Sequence, residues 1–106
     1  MELDRYTFVL LRRPPEAPDY PQERLEQIQE QHLAHLADLH ERGLLLLAGP
    51  FDDQPDESWR GLCIFGSSLD ETRDAMASDP AVRAGRLEPH VMSLWTAGGS
   101  LPASAS

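Results

Sequence analysis

The distribution of apolar positions along the chain predicts four β-strands. Four short runs are rich in aromatic, aliphatic and β-branched residues, and proline, glycine or acidic loop residues bound them. The runs are 6–13 (YTFVLLRR), 44–50 (LLLLAGP), 59–65 (WRGLCIF) and 91–96 (VMSLWT).

Between these runs the apolar spacing changes to the period of a helix. Residues 21–42 follow this period and are closed by Gly43, the residue type for which a left-handed helix cap costs least. The sequence SLDE at 68–71 is the pattern of a capping box and predicts a second helix that continues to about residue 77. An Asp-Pro pair then predicts a short helical turn over 79–85.

The resulting element order, β-α-β-β-α-β, predicts an α+β fold of the ferredoxin-like type. We expect a mostly antiparallel four-stranded sheet with both helices on one face, formed by a single domain over residues 1–97. The remaining residues, 98–106 (GGSLPASAS), have the composition of a flexible tail.

The strands also predict what covers the second face of the sheet. Side chains of the first strand alternate between the two faces of the sheet. One face receives Tyr6, Phe8 and Leu10, and the other receives Thr7, Val9 and Leu11. Residues 44–47 are apolar on both sides. Since two helices cover only one face, we expect a homodimer in which the bare sheet faces pack together. The alternative is that the tail or a loop folds across this face.

Composition and charge exclude several classes of protein. The chain has 106 residues and a net charge of −9, which would repel a polyanion, so we expect no nucleic-acid partner. No apolar run approaches the roughly 20 residues of a membrane span, and the start MELDRYTF does not resemble a signal peptide. We therefore expect no membrane partner and a cytoplasmic location.

Motifs for cofactors and covalent catalysis are missing from the sequence. We find no glycine-rich phosphate loop, nucleophile elbow or cysteine pair, and we expect no cofactor. The lone cysteine, Cys63, lies in the apolar run GLCIFG, which indicates a buried core residue rather than a nucleophile. A single cysteine also fits a reducing compartment.

Three histidines occur within nine residues at the end of the long helix, in HLAHLADLH. At about 100° per residue, His32 lies within roughly 20° of the centre of the apolar stripe, whereas His35 and His40 lie toward its edges. The stripe consists of Leu25, Ile28, Leu36 and Leu39. A buried, unpaired polar group costs about 1–3 kcal/mol. His32 is therefore the histidine that needs an explanation.

Three interpretations of His32 remain open from the residues alone. It could be a core histidine that bonds to a backbone carbonyl. It could bind a metal with His35, but helical zinc pairs are usually four residues apart with a glutamate between them, so we expect no metal. It could also perform acid–base chemistry, because an imidazole has an unperturbed pKa of about 6.5 and a carboxylate can orient it.

The segments HLAHLADLHERGLLLLAGP (32–50) and SDPAVRAGRLEPHVMSLW (78–95) together resemble the YciI-like, or YCII-related domain, family. The resemblance covers roughly residues 3–96. It implies a dimeric ferredoxin-like α+β barrel with a His–Asp pair in a small pocket, and by position these residues are His32 and Asp79. Few members of the family have a known activity, and one is a dehydrochlorinase acting on a chlorinated hydroxyquinol.

Asp79 fits a structural role as well as the role that the resemblance implies. An aspartate before a proline is a favoured helix start, because its side chain accepts backbone N–H groups. One carboxylate oxygen could cap the helix while the other receives an imidazole N–H, which would leave the second ring nitrogen free as a base. After Asp-Pro the family commonly has an aromatic residue, whereas this chain has Ala81.

Two functions follow as hypotheses. In the first, His32 oriented by Asp79 moves a proton on a small, aromatic or enolisable substrate, in a lyase-like or isomerase-like step. In the second, the dimer is a non-catalytic module that binds a small ligand or a partner protein. The pH dependence of ligand binding and of any activity discriminates between them.

Overall fold

The computed structural model describes residues 2–101 and contains four strands and three helices in that range. In chain order the elements are β1 (Leu3–Arg12), α1 (Gln22–Glu41), β2 (Leu45–Pro50), β3 (Trp59–Phe65), α2 (Leu69–Ala77), α3 (Pro80–Arg83) and β4 (Glu88–Ala97). The strands form one antiparallel sheet in the order β2-β3-β1-β4. The predicted α+β class with a four-stranded antiparallel sheet is confirmed, and the strand order is consistent with a ferredoxin-like arrangement.

Strands β1 and β4 are longer than the sequence pattern predicts. Each begins three residues earlier than expected, and they pair without a break from Leu3 opposite Ala97 to Arg12 opposite Glu88. The pairing includes Pro89, which β4 tolerates because it is an edge strand and proline cannot donate to a sheet ladder. Backbone hydrogen bonds between β1 and β4 lengthen both strands, and the apolar pattern of the sequence does not indicate this pairing.

The end of α1 has the geometry that its glycine predicts. Gly43 has a φ of 79°, a value that glycine adopts at little cost. Its N–H donates to the carbonyl of His40, and the N–H of Leu44 donates to the carbonyl of Leu39. This is the Schellman pattern, and it ends the helix just before β2.

The hydrophobic core lies between the helices and one face of the sheet. Alternate residues of β1 and β3 point into it and meet the apolar faces of α1 and α2. The largest fully buried apolar side chains are Phe65, Leu39, Met76 and Val9. Within the described range, none of the helices combines the length and apolar character needed to cross a lipid bilayer.

The helix α2 begins with the predicted capping box. Ser68 accepts a hydrogen bond from the backbone N–H of Glu71, and the Glu71 side chain accepts one from the backbone of Ser68.

Beyond β4, the N–H of Gly98 donates to the carbonyl of Glu2. The rest of the predicted tail, from residue 102, lies outside the described residues.

Candidate active site

His32 lies in the middle of α1 and faces the core, as the helical periodicity predicts. Its side chain is only 8% exposed. Its Nδ1 lies 2.7 Å from Oδ2 of Asp79, a residue that is completely buried. The structure therefore brings together the two residues that the sequence singled out, although 47 positions separate them in the chain.

Asp79 is held in place by the helix that follows it. It is the N-cap of α3, and its Oδ1 accepts the backbone N–H of Ala81 at 2.8 Å, while Pro80 occupies the first helical position. One oxygen of this carboxylate therefore caps a helix while the other faces the imidazole. A carboxylate with both oxygens engaged keeps the Nδ1–H form of His32 and leaves a lone pair on Nε2.

The neighbouring histidines have structural contacts instead. Nε2 of His35 lies 2.8 Å from the carbonyl oxygen of Ala75, which ties α1 to α2. Nδ1 of His40 lies 2.9 Å from the carbonyl oxygen of Leu45, which ties the end of α1 to β2. Because a carbonyl only accepts, each ring donates from that nitrogen. In residues 2–101, no three His, Cys, Asp or Glu side chains come together as a possible metal site.

A cavity of about 390 Å³ lies beside His32. This volume is in the range of small-molecule sites, about 300–1,000 Å³. Nε2 of His32 has no hydrogen-bond partner among the described residues, so a molecule in the cavity could contact it. The large aliphatic residues that line the cavity are Leu11, Leu25, Ile28, Leu33, Leu36, Leu62 and Leu87.

Small residues form another part of the cavity wall. The segment Ala48, Gly49 and Pro50 ends β2, and its last residue, Pro50, lies opposite Gly61 of β3. A Cβ atom on Gly61 would lie 2.7 Å from the carbonyl oxygen of Gly49, so this close strand pairing requires glycine at 61. Ala81 also lines the cavity. It stands where the family that this sequence resembles commonly has an aromatic residue.

Three arginines at the cavity were not anticipated from the sequence. Arg13 follows β1, Arg60 belongs to β3, and Arg86 lies between α3 and β4, and all three line the same cavity as His32. Their spacing along the chain follows no motif, so no sequence signal links them. Their shared location depends on the packing of three separate elements.

Cys63 is a buried core residue, as predicted. Its side chain is completely buried in β3. Burial, together with the nearby charge of Asp79, raises the pKa of the Cys63 thiol from its ordinary value of 9.0 to about 12. Since the nucleophile is the thiolate, Cys63 is protonated and unreactive at neutral pH.

We expect iodoacetamide to alkylate native Cys63 very slowly between pH 7 and 9 and rapidly after urea unfolding. The unfolded thiol ionises near its ordinary pKa, and the folded one near 12. The buried, protonated Cys63 thiol therefore stabilises the fold fully below about pH 9, and this stabilisation is lost as the pH rises toward 12. Mass spectrometry of the alkylated protein measures the first effect. Fast alkylation of the folded protein would contradict the assignment.

Comparisons with known proteins agree with this architecture. A family model described as the YCII-related domain matches residues 7–96. The chain is also similar to 5-chloro-2-hydroxyhydroquinone dehydrochlorinase from Burkholderia phenoliruptrix, solved in complex with 2,5-dihydroxybenzoquinone. That match has a TM-score of 0.55 and 21% identity, and it covers 84% of this chain and 90% of the other. A search of curated proteins found no significant match.

Proposed function

The chain belongs to the YCII-related domain family, and on that premise we propose that it is an enzyme in which His32 and Asp79 perform general acid–base chemistry on a small molecule. The observation that carries the proposal is the arrangement of the imidazole. Nδ1 faces a buried carboxylate, Nε2 has no hydrogen-bond partner in residues 2–101, and His32 lines a cavity. A base must be within reach of its substrate and held in the correct tautomer, and this arrangement supplies both conditions.

In the proposed reaction, Nε2 of His32 removes a proton from an activated C–H or O–H group of the substrate. Asp79 stabilises the imidazolium that forms and keeps its orientation. In a lyase-like reaction, the electron pair released by the substrate expels a leaving group. In an isomerase-like reaction, His32 returns the proton to a different atom of the substrate. Neither route needs a nucleophile from the protein.

The solved neighbour supports a lyase-like reaction. It is named as a dehydrochlorinase of a chlorinated hydroxyquinol, and its bound molecule is a hydroxylated quinone. Removal of hydrogen chloride from a ring is an elimination, which a positioned base assists. A cavity with mostly aliphatic walls also suits an aromatic or enolisable ring.

The proposal is tested by incubating the protein in D2O with 5-chloro-2-hydroxyhydroquinone and with unhalogenated, enolisable ring compounds. We expect chloride release or enzyme-dependent deuterium incorporation, followed by an ion-selective electrode and by proton NMR. Binding of these compounds without either reaction would contradict the enzyme assignment. That result would favour the alternative, a non-catalytic module that binds a small ligand.

We also propose that two copies pair through their open sheet faces and form a dimeric α+β barrel. On the face away from the helices, a row of apolar side chains crosses all four strands, from Leu47 through Ile64 and Phe8 to Met92. The two ends of this row are exposed in the single chain, Leu47 at 50% and Met92 at 42%. A contiguous apolar face of this kind marks an interface.

Sedimentation equilibrium at micromolar concentration should give about twice the 11.8 kDa of one chain. Phe8→Glu places a charge in the centre of the row and should give monomers, because an unpaired charge is costly to bury. Leu3→Glu is the matched control, since Leu3 is exposed but lies on the opposite side of β1. A wild-type monomer would contradict the proposed dimer.

A further inference from the structure

The cavity beside His32 contains a concentration of positive charge. Arg13, Arg60 and Arg86 all line it. The protein carries a net charge of −9, and its nine basic residues are all arginines. One third of the positive side chains in an acidic protein therefore border one small cavity.

Neighbouring carboxylates do not neutralise these charges. Nε of Arg13 donates to the backbone carbonyl of Arg86 at 3.2 Å, and Nη1 of Arg86 donates to the carbonyl of Pro18 at 3.1 Å. Within residues 2–101, neither arginine has a carboxylate oxygen within 4.0 Å. Arg60 reaches Glu57 only at 4.0 Å, and the Glu57 side chain is 95% exposed. Solvent screens such an exposed pair strongly.

Arg13 carries the electrostatic effect of the other two arginines. Burial, and then the charges of Arg86 and Arg60, lower the pKa of Arg13. The positive charges of Arg86 and Arg60 therefore act on Arg13, which lines the same cavity. The hydrogen bonds to backbone carbonyls fix the side chains of Arg13 and Arg86 but do not cancel their charge, which leaves the cluster complementary to an anion.

We propose that the cavity binds a small organic carboxylate, with the carboxylate group at Arg13, Arg60 and Arg86 and the apolar body against the aliphatic wall of α1. The planar fork of a guanidinium matches a carboxylate with two parallel hydrogen bonds. His32 lines the same cavity, so a molecule whose carboxylate is held at the arginines also has His32 beside it.

The arginines have a second effect that rests on the proposed acid–base function. When His32 removes a proton from the substrate, negative charge develops on the substrate. Fixed positive groups at the cavity stabilise this charge more in the transition state than in the ground state. The cluster therefore acts both in binding the substrate and in lowering the barrier to proton removal.

Binding of 2,5-dihydroxybenzoate and of 2,5-dihydroxybenzamide, measured by isothermal titration calorimetry at pH 7, tests the proposal. The two probes share a ring and differ in the charge of one group. We expect the carboxylate to bind at least about tenfold more tightly, because hydrogen bonds between ionised groups are about twice as strong as neutral ones. Its affinity should also fall with added salt, whereas that of the amide should not.

Variants locate the binding site. Arg13→Gln, Arg60→Gln and Arg86→Gln should each weaken the carboxylate by about tenfold or more and leave the affinity of the amide nearly unchanged. Arg60 is the exposed member, so Arg60→Gln disturbs the fold least. Arg83→Gln is the matched control, because Arg83 is an exposed arginine of α3 that does not line the cavity.

Equal affinities for the two probes, no saturable binding of either, or an equal loss in Arg83→Gln would each overturn the proposal. The same titration with His32→Gln separates it from the acid–base function. There we expect carboxylate binding to persist without catalysis. If the arginine site is wrong but the acid–base function is right, His32-dependent deuterium exchange of neutral compounds remains while the preference for the carboxylate is absent.

Discussion

Replacing His32 by glutamine is expected to lower turnover by about 10²–10⁴-fold, the contribution typical of a general acid or base. The glutamine amide can still donate a hydrogen bond to Asp79, and its size is similar. It cannot accept and release a proton near neutral pH, so the base is lost while the contact remains. The measurement is the initial rate of chloride release or deuterium incorporation, with circular dichroism to establish that the variant is folded.

The control for this variant is His35→Gln, which lies on the same helix. His35 contacts the carbonyl of Ala75 and does not line the cavity, so this substitution should leave turnover within about twofold of wild type. A folded His32→Gln protein that keeps more than a tenth of wild-type turnover would contradict the assignment of His32 as the base.

Replacing Asp79 by alanine is expected to lower the free energy of unfolding by about 2–4 kcal/mol. The substitution removes the N-cap of α3, a loss of about 1 kcal/mol. It also leaves the Nδ1–H of His32 buried without an acceptor, which costs a further 1–3 kcal/mol or so. Because Asp79 is completely buried, water cannot easily replace its contacts. Urea unfolding followed by circular dichroism measures the change.

Ser68→Ala separates the two contributions of Asp79. Ser68 caps α2 through the N–H of Glu71 but faces no buried histidine, so its loss should cost only about 1 kcal/mol. Asp79→Asn is a second comparison, since the amide oxygen can still cap α3 or accept from the imidazole. It should retain most of the stability and lose turnover, because the charge that stabilises the imidazolium is gone. Equal destabilisation by Asp79→Ala and Ser68→Ala would show that the contact with His32 adds nothing.

Local pattern in the sequence was sufficient for the type and order of the secondary-structure elements and for the buried side of α1. The helical period identified α1 and placed His32 on its buried stripe, and Gly43 marked where that helix ends. The box at 68–71 marked the start of α2. These signals are local, because residues three or four apart in the sequence share one face of a helix and capping groups act within one turn. The extra length of β1 and β4 was missed because strands that pair through their backbones need no apolar pattern.

The sequence by itself determined the α+β class, the order of the elements along the chain and the burial of His32 and Cys63. A resemblance between short segments linked His32 with Asp79, but only the tertiary structure shows the 2.7 Å contact between them and the cavity beside it. The same holds for Arg13, Arg60 and Arg86, which no spacing connects. Periodicity reports which face of an element is buried, whereas a site depends on which faces meet, and that is decided by the packing of distant elements around one core.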